Sequence, residues 1–256
     1  MARPIGSRER PRIVIIGAGF AGVGLGIQLK KAGIETFSIL EKSDSVGGTW
    51  RDNIYPGAAC DSPSFAYCFS FEQKTDWSRK WALGPEILAY VEHCADKYRL
   101  GPHLRFGTEV ESADFDRDGG VWQIHTVGGA SAHLGMTVAG FPNFFMMYGP
   151  NTNLGHNSII FMIECQLRYI ISCMQAVCER NLKYIDVRAD AMRTFNETLR
   201  RDLAKTVWAK TRSWYTTTDG TVTNNWSRST IQYWWQTRRP DLDLFDRVPF
   251  EQVTNG

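Results

Sequence analysis

Apolar positions along the chain follow two periods, and the switch between them predicts the order of elements. Ile13 to Ile16 is an unbroken apolar run ending at Gly17, and a second run, Thr36 to Leu40, ends at Glu41. Short apolar runs bounded by glycine or charge read as buried strands, and the helix formers Leu25, Ile27, Gln28, Leu29, Lys30 and Lys31 lie between them. Pro85 to Tyr98 puts Ile87, Leu88, Val91, Cys94 and Ala95 on one helical face, and Leu104 to Phe106 reads as a short strand. Val110 to Phe115 and Val121 to Thr126 alternate apolar and polar residues around Arg117-Asp-Gly-Gly120, which predicts a β-hairpin. Phe144 to Tyr148 reads as a buried strand with Met146 and Met147 in the core, and Ser158 to Arg180 as a central helix, apolar on most sides. A strand over Tyr184 to Val187 and an amphipathic helix over about Ala189 to Lys210 follow. The tail holds Trp208, Trp214, Trp226, Trp234 and Trp235, read as wraps over the domain, while the spacing of Trp77 and Trp81 predicts one packed helical face. The order predicts an α/β fold: a mostly parallel sheet with helices on both faces, a β-hairpin excursion and a helical, Trp-rich C-terminal layer.

The first strand–helix–strand unit carries the chemistry. Gly17, Gly19 and Gly22 fall at GxGxxG spacing between strand and helix, and Glu41 follows Gly22 by nineteen positions at the end of the next strand. That arrangement is the dinucleotide fingerprint. Gly17 allows the tight turn, Gly19 lets backbone approach a pyrophosphate, and Gly22 lets the helix pack close to the strand. The helix N-terminus offers N–H groups to the anion, and Glu41 can accept from an adenosine ribose. A glycine-rich turn without a ligand is the competing reading. The charge of Glu41 opposes a 2′-phosphate, which favours FAD or NAD over NADP.

Composition narrows the classes. A chain of 256 residues, 43% hydrophobic, can bury a full core. Its net charge of +2, from 29 basic and 27 acidic residues, implies no nucleic-acid partner. The six cysteines form no CxxC and the five histidines no HExxH, so no metal site is expected and the thiols read as reduced in a cytoplasmic protein. Arg3, Arg8, Arg10 and Arg12 precede an apolar stretch as in a signal peptide, but that stretch serves the nucleotide fold and no cleavage site follows. No apolar run in the sequence approaches membrane-spanning length, so no membrane partner is expected.

A loop rich in glycine and aromatics, Val46 to Asp61, extends the pattern. Gly17 to Gly22 with Glu41, then Gly47-Gly-Thr-Trp50, Tyr55-Pro-Gly57 and Cys60-Asp61, resembles the FAD-binding half of Baeyer–Villiger monooxygenases, relatives of the flavin-containing monooxygenases. The resemblance resumes at Gly135 to Asn143 and Gly149 to Ser158 and continues through Ser213-Trp-Tyr215 to Tyr233-Trp-Trp235. It implies a Rossmann-like FAD-binding domain. The pyrophosphate would lie at Gly17, Gly19, Phe20, Ala21 and Gly22, the ribose at Glu41, and the isoalloxazine near Thr49, Trp50, Asp61 and Tyr67, with Lys42 and Gly48 also among the FAD-binding residues. Val110 matches a position that contacts adenine through its backbone, and Asn157 and Ser158 would turn a helix end to the flavin pyrimidine edge. Two readings stay open for Asp61, a catalytic acid beside the flavin or a loop cap, and an ordinary N-cap remains open for Asn157 and Ser158. His156 reads as a packing residue.

The same resemblance exposes a gap. Family members carry an NADPH-binding domain between the hairpin and the last FAD strand, with a second GxGxxG and an FxGxxxHxxxW-type signature. Here Val127 passes to His133 through Gly128-Gly-Ala-Ser-Ala132, and neither motif occurs. The resemblance therefore implies one FAD-binding domain over residues 1–256, with a first flavin segment 12–127, a linker 128–133 and a second segment 134–256. The NADPH domain would have been removed by design or in reconstructing a simpler ancestor. The expected function is an FAD protein that reacts with oxygen when reduced and lacks efficient NADPH-dependent oxygenation. The alternatives are a non-catalytic FAD module and an NAD-dependent dehydrogenase. Surface left by the missing domain would favour self-association.

Overall fold

Backbone hydrogen bonding turns the first two apolar runs into neighbouring parallel strands. In a computed structural model of the chain, residues 12–110, 113–116, 121–123, 132–154, 157–210 and 222–250 are described. The fold is Rossmann-like α/β, and contacts group the chain into two units: Met1–Glu111 with His156–Leu167, and Ser112–Gly155 with Arg168–Gly256.

In the first unit, β1 (Ile13–Ile16), α1 (Phe20–Lys31) and β2 (Phe37–Leu40) form the expected crossover. Beyond β2, the short α2 (Thr49–Asp52) and α3 (Gly84–Lys97) lead to β3 (Leu104–Arg105). The parallel sheet has the order β1-β2-β3, with Ile13 opposite Phe37 and Ile39 opposite Leu104. Helix α1 lies on the face of Ile15, Phe37 and Ile39. A Cβ at Gly26 would stand 3.0 Å from Ile39 Cδ1, so this glycine sets how close the helix lies. The opposite face carries Val14 and Ile16, which are 46% and 52% exposed. Helix α3 spans the expected run and buries Ile87, Val91, Cys94 and Ala95, with Tyr90 added and Leu88 only half-buried.

Trp77 and Trp81 do not share a helix. The Ser64 N–H donates to Lys80 O, Ser64 Oγ donates to Arg79 O, and the Ala82 N–H donates to Ser64 Oγ, which holds this stretch irregular until Pro85 opens α3. Trp77 packs on Tyr90 at 5.8 Å, while Trp81 is exposed.

In the second unit, β4 (Asp114–Asp116) and β5 (Val121–Gln123) pair antiparallel as the expected hairpin, shorter than the alternation suggests, with Phe115 opposite Trp122. Its turn, like residues 128–131, lies outside the described residues. Phe144 to Tyr148 forms no strand: Asn143 and Tyr148 adopt φ of 54° and 56°, and the Asn143 side chain bonds Lys183 O and the Ile185 N–H. Left-handed residues at both ends interrupt the extended backbone a ladder needs.

Helix α4 (Ile159–Glu179) contributes to both units. It is long and apolar enough to meet the length-and-composition test for a membrane span, contrary to the expectation from uninterrupted apolar runs, and 56% of its most apolar window is buried. Charged residues such as Arg168 break the run without lowering the helix average much, and a buried core helix passes the same test.

β6 (Leu182–Val187) starts two residues before the expected strand, and α5 (Ala189–Leu203) stops short of its expected end. The short α6 (Thr230–Gln236) carries a capping box between Ser229 and Gln232, and β7 (Phe245–Pro249) pairs antiparallel with β6. Trp226, 4% exposed, packs on Tyr233 at 5.1 Å and fits the expected wrap, whereas Trp235 is 62% exposed; Trp214 lies outside the described residues.

His133 sits on a bridge with Thr137, 5% exposed, with its ring 5.0 Å from Phe195 and its buried Nδ1 lacking a hydrogen-bond partner. Burial pushes its pKa down from 6.5 to about 4. A histidine held neutral in the fold but free to protonate when unfolded costs stability as pH falls from about 6.5 towards 4. From pH 7 to pH 5 this group is expected to remove about 2 kcal/mol. Urea unfolding of His133→Phe over that range should lack this part of the slope; a slope equal to the parent's would refute it.

Candidate functional site

The site begins where β1 runs out. Gly17 turns the chain at φ +91°, and its N–H donates to Leu40 O at 2.7 Å. A Cβ at Gly22 would lie 1.9 Å from Gly17 O, so α1 comes this close to the turn only with glycine there. Gly19 is different. Its φ of −78° is open to any residue, and a Cβ would meet only Gly48 Cα, at 3.7 Å. Nothing in the protein's own packing requires glycine at this position. Gly19 is also the N-cap of α1, with no side-chain cap, and the first helical turn carries no acid. A small residue before uncapped N–H donors suits a pyrophosphate whose oxygens approach the backbone.

A second glycine turn faces the first. The Gly47 N–H donates to Ala18 O at 2.9 Å, and a Cβ at Gly48 would stand 3.1 Å from Gly19 Cα. From Gly48 the chain enters α2, which places Thr49 at the surface and turns Trp50 towards Tyr67. Trp50 Nε1 donates to Tyr67 Oη at 3.3 Å, and the Tyr67 ring meets those of Trp50 and Phe20 at 5.6 and 5.3 Å. Three aromatic residues singled out from the sequence thus form one wall beside the turn.

Glu41 is 4% exposed at the end of β2. Its Oε2 accepts from the Ala18 N–H at 2.7 Å, inside the glycine turn, and its Oε1 accepts from the Ser43 N–H at 3.0 Å. Arg51 Nη1 stands 3.3 Å from Oε1. Burial pushes the carboxyl pKa up, but the two backbone donors and the Arg51 charge outweigh it and hold Glu41 below the usual carboxylate range. Lys42 points to solvent, and it is Ser43 whose backbone reaches Glu41.

The remaining positions make contacts of their own. The Glu41 N–H donates to Arg105 O, and the Thr108 N–H donates to Glu41 O, so the chain leaving β3 runs beside the end of β2; Val110, half-buried, lies two residues further on. Asp61 is exposed on the turn where the Ser62 N–H bonds Cys60 Sγ. The network of Ala18, Glu41, Ser43 and Arg51 does not reach it. Asn157 Oδ1 accepts from the Ser158 N–H at 2.7 Å, and Ser158 Oγ accepts from the Ile160 N–H at 3.2 Å, so Ser158 caps the start of α4 and Asn157 holds Ser158. His156 lies outside the described residues, and no group of metal-ligating side chains occurs among the described ones.

Sequence reasoning passed over Arg51. The available signal was Arg51 as one of two cations, with Lys42, in the loop following a buried acid, because a buried carboxylate needs a counter-charge or donors.

Comparison with known proteins places this geometry in context. Residues 15–82 match the NAD(P)-binding Rossmann-like domain family. The chain is 48% identical over 121 residues to a Baeyer–Villiger monooxygenase of Streptomyces coelicolor, which covers 47% of this chain and 23% of that protein. It is 45% identical over 111 residues to an FAD-binding monooxygenase of Aspergillus niger, 41% of this chain and 18% of that one. About half of the chain is therefore homologous to Baeyer–Villiger monooxygenases, and the match spans about a quarter or less of those relatives' length. An oxidised steroid monooxygenase bound to NADP superposes with a TM-score of 0.84 at 14% identity, covering 93% of this chain and 99% of that one, a likeness of fold.

Proposed function

We propose that this chain binds FAD as the flavin domain of a Baeyer–Villiger-type monooxygenase, across residues 1–256, and that it lacks efficient NADPH-driven oxygenation. The observation that carries the reading is the pair of apposed glycine turns, Gly17–Gly19 and Gly47–Gly48, tied to a buried, ionised Glu41. Gly19, Phe20, Ala21 and Gly22 present backbone N–H groups to the pyrophosphate. A carboxylate offers about four acceptor positions. Two backbone donors and Arg51 occupy three of those on Glu41, leaving one for a ribose hydroxyl. Trp50, Tyr67 and Phe20 form an apolar wall, and Gly48 and Thr49 lead the chain into it. Val110 offers backbone to the adenine. Asn157 and Ser158 bring the positive end of α4 to the site, where a helix end favours negative charge. Asp61, exposed on its turn, is the acid this reading sets beside the flavin. Bound FAD supplies two-electron redox chemistry and, once reduced, reactivity towards oxygen. The homology to monooxygenases, one named for binding FAD, supports this reading over an NAD-dependent dehydrogenase.

The test is calorimetric titration of the purified chain with FAD and with NAD. Saturable one-to-one FAD binding with much weaker NAD binding is expected, and the reverse order would overturn the proposal. Glu41→Gln should weaken FAD binding about tenfold, since a hydrogen bond to a charged group is worth roughly 1.5–3 kcal/mol and part of it survives in the amide. Unchanged affinity would make Glu41 a purely structural residue.

A further inference from the structure

We propose that Arg51 is a positioning residue for Glu41, holding one carboxylate oxygen and cancelling its charge so that the remaining acceptor meets the FAD ribose in one orientation. The inference rests on the FAD reading and deepens it.

The two side chains are 14% and 5% exposed, so the pair sits largely out of water. Arg51 is itself fixed at two further points: Nη1 donates to Ser45 O, and Nε donates to Asp52 Oδ1 at 2.9 Å. It therefore spans the loop between β2 and α2, joining Ser45, before the second glycine turn, to the acid that bonds the first. The groups that face Glu41 are the Ala18 and Ser43 N–H donors and Arg51, with Asp52 engaged by the far side of the guanidinium. Arg51 is the cation paired with the acid. A bound pyrophosphate brings further negative charge to the turn that Glu41 touches. Without Arg51 the carboxylate would meet that charge uncompensated, in a setting where screening by water is poor. The cost would fall on the adenosine end of the ligand, not on its flavin end.

The test compares Arg51→Met, Arg51→Lys, Glu41→Gln and the Arg51→Met/Glu41→Gln double variant in binding FAD and riboflavin, which has the flavin ring but neither phosphate nor adenosine. A ¹³C titration of the Glu41 carboxyl in the ligand-free protein runs alongside. Arg51→Met is expected to weaken FAD binding at least tenfold and riboflavin binding less than twofold. Arg51→Lys should recover part of the loss, and the double variant should bind FAD about as Glu41→Gln does. The Glu41 titration should move to higher pH in Arg51→Met. Parent-like FAD affinity in Arg51→Met, an equal loss for riboflavin, or an unmoved Glu41 titration would each overturn the proposal. If the parent binds no FAD, the FAD reading fails and takes the ribose part of the proposal with it. A Glu41 titration that still moves in Arg51→Met would then show the ion pair acting independently of that ligand.

Discussion

A Gly19→Val chain is expected to fold as the parent does and to bind FAD at least a hundredfold more weakly. The fold tolerates the change because the backbone at Gly19 is in an ordinary extended region and an added Cβ meets only Gly48 Cα, at 3.7 Å. Binding does not tolerate it. The side chain occupies the space in front of the α1 N-terminus, where phosphate oxygens would take N–H donors. Hydrogen bonds to charged groups are worth roughly 1.5–3 kcal/mol each, and losing two exceeds a hundredfold in affinity. Gly22→Val is the contrasting case. Its Cβ would lie 1.9 Å from Gly17 O, with no flexible side chain to give way, so loss of folding is expected before any question of ligand arises. Circular dichroism and thermal melting separate the two variants. Near-parent FAD affinity in a folded Gly19→Val chain would remove the turn from the binding site.

The second large effect concerns turnover. FAD-loaded protein, reduced by light and mixed with aerated buffer, is expected to release hydrogen peroxide, and NADPH with a ketone is expected to yield ester at least a thousandfold more slowly than the monooxygenases it resembles. Holding two reactants in register contributes about 7–11 kcal/mol in the best cases, and a thousandfold, about 4 kcal/mol, lies well below that. The sequence carries one dinucleotide fingerprint, used by β1, α1 and β2, and passes from Val127 to His133 through five small residues. Within these 256 residues a nicotinamide meets no second fingerprint. Stoichiometric peroxide assays and product chromatography decide the matter. Saturable NADPH consumption coupled to ester formation would overturn the expectation.

Local order made the first half of the candidate site legible. GxGxxG between an apolar run and a helix, with an acid closing the next run, requires only covalent connectivity to place its parts, and Gly17, Gly22 and Glu41 stand as that pattern demands. The loop after β2 was legible as composition alone. Its glycines could be counted, but that Gly48 backs onto Gly19 depends on packing between segments about thirty residues apart. Arg51 escaped notice for the same reason. A charge in a loop says nothing of its partner until the loop is folded.

Elsewhere, periodicity named elements but not their pairings. Tyr184 to Val187 and Phe144 to Tyr148 both read as strands from sequence alone. One forms a strand because Phe245–Pro249 supplies a ladder, while the other is interrupted by left-handed residues and by the Asn143 side chain. By itself the sequence determined the β1-α1-β2 unit, the hairpin, the central helix and the class of ligand to look for. Those follow from local periods and from glycines whose steric freedom is intrinsic. Tertiary structure alone decided the β6–β7 pairing, the irregular path of Trp77 and Trp81, and the anchoring of Glu41 by Ala18, Ser43 and Arg51. Each of these depends on a hydrogen bond or ion pair between groups that only the fold brings together, and where the pair is buried, as at Glu41, the removal of solvent strengthens it.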